Sequence, residues 1–242
     1  MPAYNAEKTI KASINSVLAQ TYENWELIVI NDASRDLTLN EIPPDPRIIV
    51  LTNEKNSGIA KSRNLGISHA KGDMLAFLDS DDIWHADKLA GQLDFMEKTG
   101  AAISYTATAY MNAEGKMYGY VLRAEKKLRY KDLLKRNLMS CSSVMVRRCV
   151  MLPFPETGEM HEDYAVWLAI VRKIGCAYGL DEPLLIYRIA RGSKSGKRIS
   201  SAMMIFRSYR QVGYMSFQAG LLTLRYALHS IAKRVSIKLL RV

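Results

Sequence analysis

Three carboxylates fall within four residues at Asp79-Ser80-Asp81-Asp82, directly after the apolar run Met74-Leu75-Ala76-Phe77-Leu78. Alternate residues of an extended segment project the same way, so Asp79 and Asp81 can share a face. Hard cations such as Mg²⁺ or Mn²⁺ take oxygen ligands and often bridge a few carboxylates to a diphosphate. The same residues also suit the start of a helix near Ile83, whose dipole favours acids. Their place at the C-terminal end of a strand, where open α/β sheets bind ligands, favours the metal and diphosphate reading.

Three further clusters could join that chemistry. Asp32, in Asn31-Asp32-Ala33-Ser34-Arg35-Asp36, also ends an apolar run and could accept hydrogen bonds from a base or ribose, or simply form an Asx turn. Gly58 allows a tight entry to a helix whose N-terminus, with Lys61 and Arg63, could face phosphates. Glu162-Asp163 opens an amphipathic segment; one acid could serve as a general base, its pKa raised by burial and neighbouring carboxylates, or the pair could be an ordinary helix start. No P-loop or Gly-x-Gly-x-x-Gly fingerprint is present.

The elements that must position these residues alternate over the first hundred positions. Ile10, Ile14, Val17 and Leu18 share a helical face. Leu27-Ile28-Val29-Ile30, Ile48-Ile49-Val50-Leu51 and Met74-Leu75-Ala76-Phe77-Leu78 read as strands buried on both faces, with a helix over about 58–70 before the last. This βαβ rhythm predicts a mostly parallel central sheet flanked by helices. Beyond about Thr99 the pattern turns mixed: strands over 103–108 and 117–121 around a turn at Asn112-Ala113-Glu114-Gly115, a strand over 143–146, and a helix over 164–173. The expected organisation is a parallel α/β half over 1–99, a mixed half over 100–199, and a basic amphipathic helical tail over 200–242.

The 242 residues are 48% apolar and 24% charged, which excludes a mainly disordered chain, and no run reaches the length of a membrane span. Cys141, Cys149 and Cys176 form no Cys-x-x-Cys pair and read as reduced thiols of a cytosolic protein. The net charge of +10 is unevenly placed: residues 183–242 hold 12 Lys and Arg with no acid, leaving the remainder at 22 basic against 24 acidic. In the tail Leu221, Leu222, Leu224, Leu228, Ile231, Val235, Leu239 and Leu240 recur at helical spacing between Arg225, Lys233, Arg234, Lys238 and Arg241. Such a helix suits an anionic membrane surface; the alternative is a docked helix with a solvated basic face. No basic, aromatic-rich platform supports a nucleic-acid partner.

In order and spacing, Pro2-Ala3-Tyr4-Asn5-Ala6-Glu7, Asn31-Asp32-Ala33-Ser34-Arg35-Asp36, the segment 56–64, Asp79-Ser80-Asp81-Asp82 and Glu162-Asp163 resemble the family 2 glycosyltransferases that build bacterial cell-surface polysaccharides. The resemblance covers about residues 1–195 and implies a GT-A (Rossmann-like) α/β fold. It implies an inverting transfer of a hexose-type sugar from a nucleotide donor, probed best with UDP, to a glycan or lipid-linked acceptor, with Mn²⁺ or Mg²⁺. On that resemblance Pro2, Tyr4, Asn5, Glu7, Asp32, Arg63, Asp79 and Ser80 bind the nucleotide sugar, Tyr4 near the uracil and Asp32 at the base. Asp81, with Asp79, holds the metal, and Asp163 is the base with Glu162 beside it. A non-catalytic, membrane-associated module of a glycan assembly complex is the alternative. Three departures stand out. The apolar strand usual before Pro-x-Tyr-Asn is missing or truncated, Ala33 replaces a glycine, and Tyr187-Arg188-Ile189-Ala190 lacks a histidine found in many relatives. Arg188, Arg191 or Lys194 could take over that contact, and the basic run 191–198 could form a lid over the diphosphate or a solvated loop.

Overall fold

The computed structural model describes residues 1–158, 160–189 and 198–239. β2 (Leu27–Asn31) is buried along its whole length and takes a parallel neighbour on each side, β1 (Pro2–Ala3) and β3 (Ile48–Thr52). The first strand, expected to be missing or truncated, is a two-residue ladder, Pro2 opposite Ile30 and Ala3 opposite Asn31. The Met1 ammonium extends it by donating to Ile28 O at 2.8 Å. β3 departs from the expectation of burial on both faces. It is an edge strand, and Val50 is 41% exposed.

α1 (Ile10–Leu18) buries Ile10, Ile14 and Val17, spaced as one helical face, beneath this sheet. α2 (Ile59–His69) crosses over and delivers the chain to β4 (Met74–Ala76). β4 is shorter than the apolar run suggests: Phe77 and Leu78 are buried but leave the ladder, and the acidic turn follows them. A short β5 (Ile83–Trp84) then leads into α3 (Lys88–Thr99), which stops at Gly100 in the left-handed region, φ 66°.

The second half is mixed rather than parallel. β6 (Ile103–Asn112) and β7 (Met117–Leu122) form the expected hairpin, with β6 four residues longer than its apolar pattern. β8 (Lys127–Arg129) and the single turn α4 (Tyr130–Leu133) precede β9 (Val144–Arg147). α5 (Glu162–Ile174) runs back over the sheet to β10 (Cys176–Ile189), whose parallel pairing with β6 shifts register between Leu180 and Leu185. The strand order is β4-β9-β6-β10-β5, with β4 and β9 antiparallel. On one face Trp167 of α5, Phe77 and Phe154 pack edge to face with centroids 5.3–5.8 Å apart.

The tail expected from about Ser200 is two helices, α6 (Arg198–Gln211) and α7 (Ser216–Leu239). Its apolar stripe divides: Ala219, Leu222 and Tyr226 pack on the core, while Phe217, Leu221, Leu224 and Leu228 stay exposed. Residues 191–197 of the predicted lid run, Leu240, and the side chains of Arg198, Ile231, Val235 and Leu239 lie outside the described residues.

Candidate active site

The loops after β1 and β2 are laced together by side chains that favour turns. Asn5 N donates to Ser34 Oγ at 3.0 Å, and Arg35 N returns a bond to Asn5 Oδ1 at 2.9 Å. Ala6 N donates to Thr38 Oγ1 at 2.7 Å, and Leu37 N to Glu7 Oε2 at 3.1 Å. Asn5 (φ 49°) and Ala33 (φ 58°) both sit in the left-handed region. Ala33 therefore bears backbone strain at the very position where the relatives' glycine would be unstrained. The lacing leaves an open depression of about 460 Å³ between the two loops. Asn5 and Glu7 thus spend their side chains on the loop. Pro2 lies in β1, and the Tyr4 ring beside it is 46% exposed.

Asp32 is almost wholly buried and clamps the entry to α2. Its Oδ1 accepts from Asn53 Nδ2 (2.7 Å) and Ser57 N (2.8 Å), and its Oδ2 from Gly58 N (2.8 Å). Gly58 needs φ 88° to present that N–H. The carboxylate placed at the base by resemblance is in this geometry the floor beneath it, shaping the loop that leads into α2.

Arg63 is the hub. Its side chain is 3% exposed; Nη2 meets Asp79 Oδ1 at 2.7 Å and Nη1 meets Glu162 Oε1 at 2.9 Å. One guanidinium therefore ties α2, the acidic turn and the start of α5, with the Phe154 ring 5.2 Å from its centre. Lys61, one residue before the buried Ser62, faces away into solvent. Asp163, next to Glu162, accepts Tyr164 N at 2.7 Å. Burial and then the neighbouring Glu162 push its carboxyl up to about 7, although Arg63 pulls the other way.

The acidic turn closes through Asp82 N to Asp79 O at 3.2 Å, with Ser80 half-buried at its bend. Asp79 N donates to Ser142 Oγ (3.1 Å), and Ser142 O accepts Trp84 Nε1 (2.7 Å). Arg188 at the end of β10 grips the other side: its backbone N–H donates to Asp82 Oδ1 (3.0 Å), Nε to Asp81 O (2.9 Å) and Nη1 to Ala113 O (3.1 Å). Among the described residues Asp82 Oδ2 is buried without a hydrogen-bond partner within 3.5 Å, although the nearby Ser142 hydroxyl still favours its charged form. Burial and then Asp79 raise the Asp81 carboxyl to about 6, with Arg188 opposing. Burial, Asp79 and Asp81 hold Asp82 well above the usual carboxylate range.

A buried orphan oxygen and two carboxyls pushed upward mark a donor set short of positive charge. No group of three His, Cys, Asp or Glu forms a ready-made metal cage among the described residues. Two carboxylates completed by diphosphate oxygens are nevertheless the usual setting of Mg²⁺, so Asp79 and Asp81 fit such an ion. Two contributors carried no sequence signal as site residues, Ser142 and Tyr187. The Tyr187 hydroxyl is raised by burial and then by the charges of Asp82, Asp79, Asp81 and Asp163. Arg188 was legible only as a substitute for the missing histidine.

Comparisons with known proteins bear on the family and the fold. Glycosyl transferase family 2 matches residues 1–154. The chain belongs to that family. It is 34% identical to the "Putative teichuronic acid biosynthesis glycosyltransferase TuaG" of Bacillus subtilis, over 97% of this chain and 95% of that one. It is 39% identical to the "UDP-Glc:alpha-D-GlcNAc-diphosphoundecaprenol beta-1,3-glucosyltransferase WfgD" of Escherichia coli, over 82% of this chain and 79% of that one. Among solved structures, S. aureus TarS 1–349 in complex with UDP-GlcNAc superposes with a TM-score of 0.69 at 18% identity, covering 93% of this chain and 70% of that chain. This family 2 glycosyltransferase thus has the GT-A fold that its sequence led one to expect.

Proposed function

We propose that this glycosyltransferase moves a hexose from a UDP-sugar to a lipid-linked saccharide with inversion at the anomeric carbon, dependent on Mn²⁺ or Mg²⁺. The observation that carries the reading is the Arg63 bridge, which holds a diphosphate-side carboxylate, Asp79, and the Glu162–Asp163 pair on one guanidinium. In support, WfgD is named for transfer from UDP-Glc to a diphosphoundecaprenol-linked GlcNAc, and a GT-A neighbour carries GDP-Man and Mn²⁺.

In this reading Tyr4 lies against the nucleotide, Asp32 holds the loop that enters α2 beside it, and Asp79 and Asp81 would hold the metal beside Ser80. The ion, when bound, neutralises the leaving diphosphate. Asp163 accepts the acceptor hydroxyl's proton as that oxygen bonds to C1. The C1–O bond to phosphate breaks on the opposite side, and its electron pair leaves with UDP. Arg188 keeps the acidic turn in register for this step. Residues 1–99 then form the donor half, 100–199 the acceptor half and 200–242 the attachment tail.

Calorimetric titration of UDP tests the donor site. Micromolar binding with Mn²⁺ that is lost in EDTA is expected. Equal affinity in EDTA would remove the metal, and no binding under either condition would remove the UDP donor.

The tail fits attachment to the cytoplasmic face of the membrane. No described helix is long and apolar enough to cross one. Phe217, Leu221, Leu224 and Leu228 repeat every three or four residues along α7 and are 55–77% exposed, on a segment without a single acid. Each such side chain is worth about 1.5–3 kcal/mol when fully buried. Phe217→Ser with Leu224→Ser should therefore weaken sedimentation with phosphatidylglycerol vesicles by at least about tenfold. Unchanged sedimentation, or equal binding to neutral phosphatidylcholine vesicles, would count against the anionic surface.

A further inference from the structure

α6 touches the residues on either side of the two catalytic-site acids, and it does so with two consecutive side chains. Ser208 Oγ lies 3.3 Å from the carbonyl of His161, one residue before Glu162, and shares its proton between that oxygen and Met204 O at 3.0 Å. The Tyr209 hydroxyl lies 3.1 Å from that of Tyr164, one residue after Asp163, and donates to Leu134 O at 2.7 Å. Ser208, Tyr209 and Tyr164 have no exposed surface. The Tyr164 hydroxyl also reaches Leu133 O at 2.8 Å, so the tyrosine pair ties α5 to the end of α4. α7 adds the Tyr226 ring 5.7 Å from Tyr164.

This attachment matters because the first turn of α5 has few fixed points of its own. Its cap residue His161 makes no side-chain capping bond to the helix. Glu162 is held at its carboxylate by Arg63, and among the described residues the Asp163 carboxylate is held by the N–H of Tyr164. A helix start placed from both flanks cannot rotate about its axis without breaking one of the α6 contacts. Rotation by a fraction of a turn would carry the Asp163 oxygens an ångström or more, and displacement of that size at a reacting group costs rate steeply.

We infer that Ser208 and Tyr209 are positioning residues, and that α6 is the strut which holds Glu162 and Asp163 at the reacting centre. The inference rests on the reading of Asp163 as the base. It gives the C-terminal helices a part in turnover in addition to surface attachment.

The test is kinetic, on the full chain, with UDP release from UDP-glucose measured in the presence of Mn²⁺ and a GlcNAc-diphosphate lipid. For Ser208→Ala/Tyr209→Phe, kcat should fall about 10- to 100-fold. KM for UDP-glucose and Kd for UDP should stay within about twofold of the parent, because Ser208 and Tyr209 reach His161, Tyr164 and Leu134, none of them a donor-side residue. Tyr226→Phe keeps the ring contact with Tyr164 and removes only the hydroxyl, which accepts Asn137 N at 3.4 Å; its kcat should match the parent.

An unchanged kcat in the double variant overturns the inference, as does a rise in KM and Kd in step with the fall in kcat, which would mark general loosening. An equal kcat loss in Tyr226→Phe does the same. Loss of turnover in Asp163→Asn with full turnover in the double variant sinks only the strut. Turnover retained in Asp163→Asn, or no UDP release by the parent, removes the underlying reading and the strut with it.

Discussion

Asp163→Asn is expected to cut transfer by about 10²–10⁴-fold while leaving UDP affinity unchanged. The amide keeps the side chain's shape and can still accept Tyr164 N from its carbonyl oxygen, so α5 should begin as before. What it cannot do is take a proton. Because burial and Glu162 raise the parent carboxyl to about 7, kcat of the parent should climb as pH rises through that value and then level off. The same shift has the opposite sign for stability. The folded state binds this proton more tightly than the unfolded chain, so stability falls as pH rises from about 4 to about 7. The amide variant should lose that slope and melt higher than the parent at pH 8. A gain of about 1 kcal/mol corresponds to roughly 2–4 °C for a chain of this size. Near-normal turnover, or a kcat profile flat from pH 5 to 8 in the parent, would take Asp163 out of the role.

The parts of this site that could be read from the sequence are those whose signal is local. Asp79, Asp81, Glu162 and Asp163 cluster at the ends of elements, and α1 and β2 announce themselves through unbroken apolar spacing. The rest depends on contacts between distant residues. Arg63 and Glu162 are 99 positions apart, and nothing near either predicts their 2.9 Å bond. Asp32 looked like a ligand because it ends a strand; its three accepted bonds come from a loop more than twenty residues later. β3 has the composition of a central strand but lies at the sheet edge, a fact of topology that composition does not carry. β10 was invisible because exposed Asp181-Glu182-Pro183 interrupts its apolar pattern at the register shift. Lys88 is fully buried with its amine unpartnered 3.8 Å above the Trp84 ring, although a lysine opening a helix ordinarily faces solvent.

Arg63→Met should be the most damaging single change to the fold near the site. It removes the charge shared by Asp79 and Glu162 and leaves those acids beside Asp81, Asp82 and Asp163. Breaking a buried ion pair by deleting one partner typically costs about 3–5 kcal/mol. Asp79 and Glu162 retain 26% and 20% of their side-chain exposure, so some of the stranded charge can be hydrated and the lower end applies. At about 2–4 °C per kcal/mol the melting temperature should drop by roughly 6–12 °C. Arg63→Lys should recover only part of this, because a single ammonium cannot place two donors 2.7 and 2.9 Å from carboxylates on different elements. Adding Glu162→Gln to Arg63→Met should restore stability by removing one stranded charge. The deficit should also shrink at pH 5, where the carboxyls that burial and mutual repulsion already raise take up protons. Metal-dependent UDP binding should weaken with stability, since Asp79 loses the contact that fixes its oxygens. An Arg63→Met variant that melts with the parent and binds UDP as tightly would mean that the acidic turn and α5 are positioned without this bridge, and the coupling of donor site to base would have to be sought elsewhere.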